Sequence, residues 1–426
     1  MNFEFFFARR ISFQTQRSAS ALVVRLAILS IALAVATMEI ALSFVQGFET
    51  EIENKVAGFS GHILVTNYAQ EIKSELLPIT YKQEEVATIL AIPEVSSVSP
   101  YIEHTALMVS SDYWDGVRLK GVDSSYHWQF LAKALIEGTL PNYQTAEASK
   151  EILISRKIAR KLNLNLGDSP KLIVLQENDI TQKRVTVVGI YETGLEEFDN
   201  TIVIADLRML RDLWSWEDDQ IAGYEVNTWF LDKNMDYYVD ASSFPFFHKD
   251  SLSKIDYTSL DVSAVSPNFL ATPVTYSFQE IFDWLMLQHQ NVWVILILMM
   301  IVAVINMTTV LLIIIIERTR TVGILKSMGM EGGKIRRMFV FYALLLILVG
   351  VVLGNLLGLG LLASQDKWEW LKVNQEDYFI TTVPVAWVWM RFFLVNLGVV
   401  VICTLAMYLP SILVQRITPV KAIRFS

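Results

Sequence analysis

Hydrophobic residues in this chain follow two patterns. Long, nearly uncharged runs cover residues 20–47, 292–316, 338–363 and 392–414, whereas short alternating runs lie within residues 48–289. About 20 apolar helical residues are enough to cross the roughly 30 Å hydrocarbon core of a bilayer. We therefore predict an α-helical membrane protein with four transmembrane helices and a large mixed α/β domain inserted between helices 1 and 2.

The inserted region alternates between strand-like and helix-like patterns. Helical spacing of apolar residues predicts helices over residues 155–162 and 205–214, and NLGD at 165–168 predicts a turn after the first of them. Four β-rich runs predict strands, at residues 62–68, 97–110, 170–176 and 184–191. The region is long enough for one or two subdomains, each with its own core.

Segments next to the apolar runs also carry helical patterns. Residues 49–55 continue the first helix, and the amphipathic segment 275–291 leads into the second, so both helices are expected to extend beyond the bilayer. Phenylalanines beside arginines in residues 1–19 predict a helix lying on the inner membrane surface.

The third apolar run carries glycines four residues apart, at Gly350, Gly354 and Gly358. This spacing lets two membrane helices approach closely. Packing within the chain and contact with a second copy are both open.

Charge predicts the orientation of the four helices. The chain has a net charge of −9, yet residues 1–19, 317–337 and 411–426 together hold 12 Lys/Arg and only 3 Asp/Glu. Because basic loops stay on the cytoplasmic side, both termini and segment 317–337 are predicted to be cytoplasmic. The tail 415–426 is then inside, and the large domain and the short loop 364–391 are outside. The first apolar run exceeds the 7–15 residues of a signal-peptide core, which favours a retained anchor.

Candidate chemistry is sparse. The five histidines form no HExxH pattern, and Gly332-Gly333-Lys334 lacks the GxxxxGK[ST] spacing of a phosphate-binding loop. Adjacent acids, such as Glu84–Glu85, are interpreted as solvated surface. The single cysteine, Cys403, excludes an intramolecular disulfide. We predict no catalytic residue, no metal site and no cofactor bound by this chain.

The segment from residue 317 to 338 is basic and broken by glycines. As a helix it places Val322, Leu325 and Met328 on one face, and basic residues lie around the other flank. Gly329 and the glycines after it would end the helix before the third apolar run. One interpretation is an interfacial loop that only satisfies the charge rule, and the other is a helix that a partner protein binds.

Four stretches of sequence carry a family resemblance. ERTRTVGILKSMGM at 317–330 resembles the segment after the second helix of FtsX-like ABC transporter permeases, and ITPVKAIRFS at 417–426 is similar to their closing segment. SFVQGFETEIENKVAGFSGHILVTNY at 43–68 and GIYETGLEEFDNTIVIADL at 189–207 resemble motifs of the lipoprotein-releasing (LolC/LolE type) branch.

This resemblance implies the permease subunit of a type VII, mechanotransmission ABC transporter in the bacterial inner membrane. Such a subunit lifts lipoproteins from the outer leaflet for transfer toward the outer membrane, and its external region is a MacB-like core domain. The implied partners are a cytoplasmic ATPase dimer that uses ATP and Mg, a second permease of the same or a different kind, the lipoprotein and a periplasmic lipoprotein carrier, with no nucleic acid. Alternatives are a MacB-like exporter permease, an FtsX-like signalling permease, or a membrane-anchored receptor or scaffold without ATPase coupling.

The resemblance also assigns roles to residues. Contact with the ATPase is expected from a set in the basic segment: Arg318, Arg320, Gly323, Leu325, Lys326, Met328 and Gly329. The substrate path is expected along the outer end of the first helix, at Met38, Glu39, Leu42, Val45 and Phe48, although these residues could instead pack on neighbouring helices of the same chain.

Two features depart from the branch. It usually has an apolar residue at the position of Glu39, a carboxylate that is costly inside a bilayer. We expect Glu39 to face a dimer cavity or a polar group such as Asn306, Asn355 or Asn396. One subtype also has a long hairpin that binds the carrier, and the corresponding connection here, residues 177–183, is short, which argues against carrier binding by this subunit.

Overall fold

The structure is a computed structural model that describes residues 19–69, 77–93, 95–111, 113–176, 179–228, 266, 268–374, 378 and 380–411. The surface helix predicted within residues 1–19 and the cytoplasmic tail 415–426 lie outside the described residues, apart from Ala19. The chain divides into two compact units. One contains the chain up to Phe48, Met286–Lys372 and the residues from Thr382 onward, and the other contains Glu49–Leu285 and Val373–Thr381.

Helices and strands are numbered along the chain. The described helices are α1 (Ala19–Ser60), α2 (Gln83–Leu90), α3 (Trp128–Ala134), α4 (Arg156–Leu162), α5 (Glu196–Asp199), α6 (Leu207–Leu213), α7 (Val274–Ser277), α8 (Gln279–Glu317), α9 (Thr319–Ser327), α10 (Gly332–Trp368), α11 (Trp389–Ala406) and α12 (Tyr408–Ser411). The described strands are β1 (Ile63–Asn67), β2 (Ile79–Thr80), β3 (Val95–Val109), β4 (Trp114–Val122), β5 (Leu135–Gly138), β6 (Glu151–Ser155), β7 (Lys171–Gln176), β8 (Asp179–Arg184), β9 (Thr186–Tyr191), β10 (Ile202–Asp206), β11 (Gln220–Ile221), β12 (Gly223–Thr228) and β13 (Phe269–Pro273).

Four of the described helices, α1, α8, α10 and α11, are long and apolar enough to cross a membrane, which confirms the predicted fold class. Their ends differ from the apolar runs. Helix α8 begins at Gln279 because Phe278, with φ −122° and ψ 46°, leaves the helical conformation after α7. Helix α11 ends early because Pro410 lacks the N–H that would bond to the carbonyl of Ala406.

The external unit is built on one mixed sheet. Its strands follow the order β13-β1-β12-β3-β4-β10-β6-β9-β5, and a hairpin of β7 and β8 joins the sheet through β3. Strand pairs β10–β4 and β6–β9 are parallel, and the other pairs in the sheet are antiparallel. Strands β2 and β11 form a separate two-stranded sheet.

Side-chain caps fix where two predicted helices begin. Ser155 has an extended conformation and its hydroxyl accepts a hydrogen bond from the Ile158 N–H, so α4 starts at Arg156. Asp206 accepts from the Arg208 N–H at 2.8 Å in the same way, so α6 starts two residues later than predicted. Both helices bury apolar residues against the sheet in the core of the external unit.

Two interpretations of the external sequence are wrong. Residues 179–183 are not a connection, because they belong to β8, which pairs with β7 from Lys171↔Arg184 to Gln176↔Asp179. Glu85 is not solvated surface. It is buried and accepts hydrogen bonds from Tyr224 Oη at 3.2 Å and Lys82 Nζ at 3.3 Å.

Candidate functional site

The basic segment forms helix α9 and ends in a Schellman motif. The Gly329 N–H donates to the carbonyl of Lys326 at 3.0 Å, and the Met330 N–H donates to the carbonyl of Leu325 at 3.0 Å. Gly329 has φ +89°, a conformation that favours glycine. These two bonds end α9 sharply before α10 begins.

The two faces of α9 differ from the predicted ones. Val322 and Gly323 are buried, and Leu325 is half-buried and packs against the core of the membrane helices. Leu325 therefore does not share an exposed face with Met328. The exposed face carries Ile324, which is 47% exposed, and Met328, which is 78% exposed, one helical turn apart.

Basic residues border this exposed pair. Arg320 is exposed one turn before Ile324, and Arg318 and Lys326 are half-exposed. An apolar pair within a basic surface suits a protein partner with an apolar cleft and acidic rim. Sequence spacing alone could not choose between Ile324 and Leu325, since the choice depends on which side of α9 packs on the other helices.

The glycines of α10 lie against α1. A Cβ atom on Gly350 would lie 2.8 Å from Ile31 Cβ, and one on Gly354 would lie 2.7 Å from Val35 Cβ. One on Gly358 would lie 2.5 Å from Glu39 Oε2. The structure thus places all three glycines in packing within the chain.

Glu39 is fully buried among the membrane helices. Its Oε1 accepts a hydrogen bond from Asn396 Nδ2 at 3.1 Å, and Asn396 also exchanges bonds of 2.8 and 3.0 Å with Asn355. Asn306, the third candidate partner, instead donates to Ser30 Oγ. Within the described residues, Glu39 Oε2 has no hydrogen-bond donor. The carboxylate therefore joins α1, α10 and α11 in one polar cluster.

The other predicted substrate-path residues lie mostly inside the helices. Met38 and Leu42 are buried in the core, and Val45 and Phe48 are half-buried. This favours packing within the chain over an open apolar stripe. The exposed face of α1 carries four leucines, Leu22, Leu26, Leu29 and Leu33. Their helical spacing is visible in the sequence, but they were not predicted as a functional surface.

In the external unit, a buried cation holds the end of α1. Lys120 Nζ and Tyr126 Oη both donate hydrogen bonds to the carbonyl of Phe59, the latter at 2.7 Å. Lys120 also pairs with Glu225 at 2.6 Å, and both side chains are almost completely buried. Burial raises the pKa of Glu225, and the positive charge of Lys120 opposes that rise. A cation at the C-terminal end of a helix interacts favourably with the negative end of the helix dipole, so Lys120 stabilises the end of α1.

Within the 189–207 motif, the carboxylate of Asp199 holds the loop between β9 and α5. Asp199 accepts from the Thr193 N–H at 3.0 Å, the Thr193 hydroxyl at 2.9 Å and the Gly194 N–H at 2.9 Å. Burial nevertheless raises the pKa of Asp199, against these hydrogen bonds. Lys55 of α1 donates to the carbonyl of Thr193 at 2.8 Å, so the loop also holds α1.

Comparison with known families matches both units. A model of the MacB-like periplasmic core domain matches residues 25–236, and a model of the FtsX-like permease C-terminal region matches residues 293–419. Residues 293–419 thus belong to the FtsX-like permease family. The resemblance noted in its sequence is confirmed.

Curated relatives of the permease span nearly its whole length. It is 22% identical over 398 residues to the lipoprotein-releasing system transmembrane protein LolC of Buchnera aphidicola, covering 91% of this chain and 89% of that protein. It is 21% identical to LolE of Haemophilus influenzae, covering 99% of each. Among solved structures, the periplasmic region of MacB from Actinobacillus actinomycetemcomitans matches with a TM-score of 0.34 and 13% identity, over 52% of this chain and 92% of that one.

The permease also presents apolar side chains at one corner of its external sheet. Trp114 of β4 is exposed, and so are Leu175 (73%) and Ile180 (64%), which face each other in the β7–β8 hairpin. Val109 pairs with both Trp114 and Lys171, so their side chains lie on the same face of the sheet. Leu175 is four residues after Lys171 in β7 and shares that face, so Trp114, Leu175 and Ile180 all project from it. We call them the hairpin patch. Exposed apolar patches of this kind commonly bind other proteins.

Proposed function

We propose that the permease is one subunit of a type VII ABC transporter that extracts lipoproteins from the outer leaflet of the bacterial inner membrane. A separate cytoplasmic ATPase dimer supplies the energy, and a second permease completes the transmembrane part. Both termini and α9 are then cytoplasmic, and the external unit is periplasmic. The names of the full-length relatives support the lipoprotein as substrate.

Helix α9 is the observation that carries this proposal. It lies between two membrane-spanning helices, ends sharply at Gly329, and exposes Ile324 and Met328 beside Arg320. An ATPase cleft that closes over the apolar pair would bury it, and acidic residues at the rim would pair with the basic ones. Movement of the ATPase would then displace α8 and α10, which flank α9 in the chain.

The exposed leucines of α1 offer a surface for the substrate side of the cycle. Leu22, Leu26, Leu29 and Leu33 form a continuous apolar face. In a dimer of permeases this face would meet lipid acyl chains or the second permease. Glu39 and its partners Asn355 and Asn396 lie between the membrane helices, where their hydrogen bonds hold α1, α10 and α11 together.

The hairpin patch supports a periplasmic carrier as a further partner. The β7–β8 hairpin presents the exposed Leu175–Ile180 pair, which suits an apolar partner surface. The carrier would receive the lipoprotein at the external unit.

Purification of the tagged chain from native membranes tests the coupling part. The proposal predicts that an ABC ATPase and a permease co-purify in stoichiometric amounts, identified by mass spectrometry. A receptor or scaffold without ATPase coupling would purify without the ATPase, which would contradict the proposal.

Orientation can be tested with single cysteines, because Cys403 is buried. A membrane-impermeant maleimide should label Leu175→Cys in spheroplasts with an intact inner membrane. It should label Met328→Cys only after the membrane is opened. The reverse pattern would overturn the orientation.

A further inference from the structure

One aromatic side chain in the external unit contacts the ends of two long helices. The ring of Phe198 stacks on Phe59, near the end of α1, with centroids 4.4 Å apart and an angle of 14° between the rings. On another side it makes an edge contact with Phe278, directly before α8, with centroids 5.0 Å apart. Both contacts have the geometry that favours aromatic pairs.

The position of Phe198 is fixed from several directions. Its neighbour Asp199 is held by three hydrogen bonds from Thr193 and Gly194, and the carbonyl of Asp199 accepts from Ser155 Oγ. Phe198 itself is fully buried. The ring therefore cannot shift without breaking the loop that carries it.

The end of α1 is held just as firmly. Phe59 is fully buried, its ring lies 4.8 Å from Lys120 Nζ, and its carbonyl accepts from Lys120 and Tyr126. A displacement along α1 would have to break the hydrogen bonds from Lys120 and Tyr126 to the Phe59 carbonyl, or move strand β4, where Lys120 is also paired with Glu225. Because both Phe198 and the end of α1 are held firmly in the external unit, a movement of α1 is passed on to that unit and is not absorbed by bending at their contact.

We propose that Phe198 is a positioning residue that couples α1 to α8. Through it, displacement of one helix is passed to the other and to the sheet of the external unit. This inference rests on the proposed function, because it assigns a part of the path by which ATP-driven movement reaches the external unit. Phe198, Phe59 and Phe278 form the coupling node.

A matched pair of variants tests the node. Phe198→Ala removes the ring that contacts both Phe59 and Phe278. Phe130→Ala is the control, since Phe130 meets Phe59 edge-on, with ring centroids 6.5 Å apart, and among the described residues it makes no ring contact with Phe278. Each variant is prepared as the full transporter in membranes, and lipoprotein released is measured per ATP hydrolysed.

The expected result is a split between hydrolysis and release. Phe198→Ala should hydrolyse ATP at the native rate, while release per ATP falls about tenfold. Without the ring that joins α1 to α8, movement is transmitted only in the minority of molecules in which both segments keep their native positions. Phe130→Ala should keep the native ratio. A native ratio in Phe198→Ala would overturn the proposal. If Phe198→Ala does not fold, Phe198→Leu, which fills most of the same volume without ring stacking, is judged by the same ratio.

Hydrogen exchange gives a second readout that needs no transport. In Phe198→Ala, amide exchange should rise both at residues 53–60 and at residues 274–285, because one side chain ties both segments. In Phe130→Ala it should rise only at residues 53–60. Unchanged exchange at 274–285 in Phe198→Ala would overturn the coupling. If the unsubstituted chain released no lipoprotein, the proposed function would fail, and the exchange result would still decide whether Phe198 joins the two helices.

Discussion

The carbonyl oxygen of Pro384 lies 2.5 Å from the position that a Cβ atom would occupy on Gly47. Two hydrogen bonds hold the loop that contains Pro384 on α1. Ser43 Oγ donates to the carbonyl of Ala386 at 2.8 Å, and the Ala386 N–H donates to the carbonyl of Ser43 at 3.3 Å. Gly47 belongs to the SFVQGFE stretch that resembles the lipoprotein-releasing branch. The structure thus gives that glycine a steric reason, which is close approach of a second backbone.

Gly47→Ala should destabilise the membrane unit. A Cβ atom cannot remain 2.5 Å from a carbonyl oxygen, so the loop or the helix must move, at a cost of about 1–3 kcal/mol. Thermal unfolding of the purified chain in detergent measures the effect. Gly360→Ala is the control, because a Cβ atom there meets nothing within 4 Å. Equal midpoints for the two variants would show that the close contact is unimportant.

Ile324→Asp should release the ATPase without unfolding the permease. Ile324 is 47% exposed in the chain but would be buried in the complex, where an unpaired carboxylate is strongly unfavourable. Co-purification of the ATPase is the measurement. Ile180→Asp is a matched control, since it makes the same change at an exposed isoleucine of the external unit. If the ATPase co-purified normally with the Ile324→Asp variant, the exposed face of α9 would not be part of the ATPase contact.

Glu39→Gln should be tolerated and Glu39→Leu should not. Glutamine keeps an oxygen that can accept from Asn396 Nδ2, whereas leucine loses the bond and must fit its branched end beside Gly358. Hydrogen bonds between membrane helices contribute about 0.6 kcal/mol on average, with a maximum near 1.7 kcal/mol. Thermal unfolding of both variants in detergent gives the difference. If leucine is as stable as glutamine, the polar cluster does not stabilise the helices.

Acidification should weaken the external unit through His104. Burial lowers the pKa of His104, whose ring stacks on Trp214 with centroids 4.5 Å apart. Near pH 6.5 the unfolded chain therefore binds more protons than the folded one, so stability falls as the pH drops through that value. His104→Phe keeps an aromatic ring and removes the titration. Its unfolding midpoint should change less between pH 7.5 and 5.5, roughly the range in which histidine titrates. An identical pH dependence in both proteins would exclude His104 as the cause.

The sequence predicts this fold well where the signal is local. Apolar runs longer than about 20 residues mark α1, α8, α10 and α11, because crossing a bilayer requires that length. Ser155 and Asp206 show how capping residues set helix starts to within two residues. These features depend on neighbours in the chain.

Prediction fails where burial depends on distant residues. Leu325 and Ile324 are adjacent and both apolar, and only the packing of α9 on the membrane helices decides which one is exposed. Met38 and Leu42 have the spacing of a surface stripe but lie in the core, whereas Leu33 on the same helix is exposed. The aromatic contact of Phe198 with Phe59 and Phe278 joins residues far apart in sequence and leaves no local pattern.

Release of a triacylated lipoprotein from proteoliposomes is the most direct test of the proposed function. The vesicles contain the purified permease with its co-purified partners, and a soluble lipoprotein carrier is added outside, on the side of the external unit. The lipoprotein should move to the carrier only when ATP and Mg²⁺ are present on the ATPase side, and Ile324→Asp should abolish the transfer. Transfer that is independent of ATP, or ATP hydrolysis that never releases lipoprotein, would contradict it.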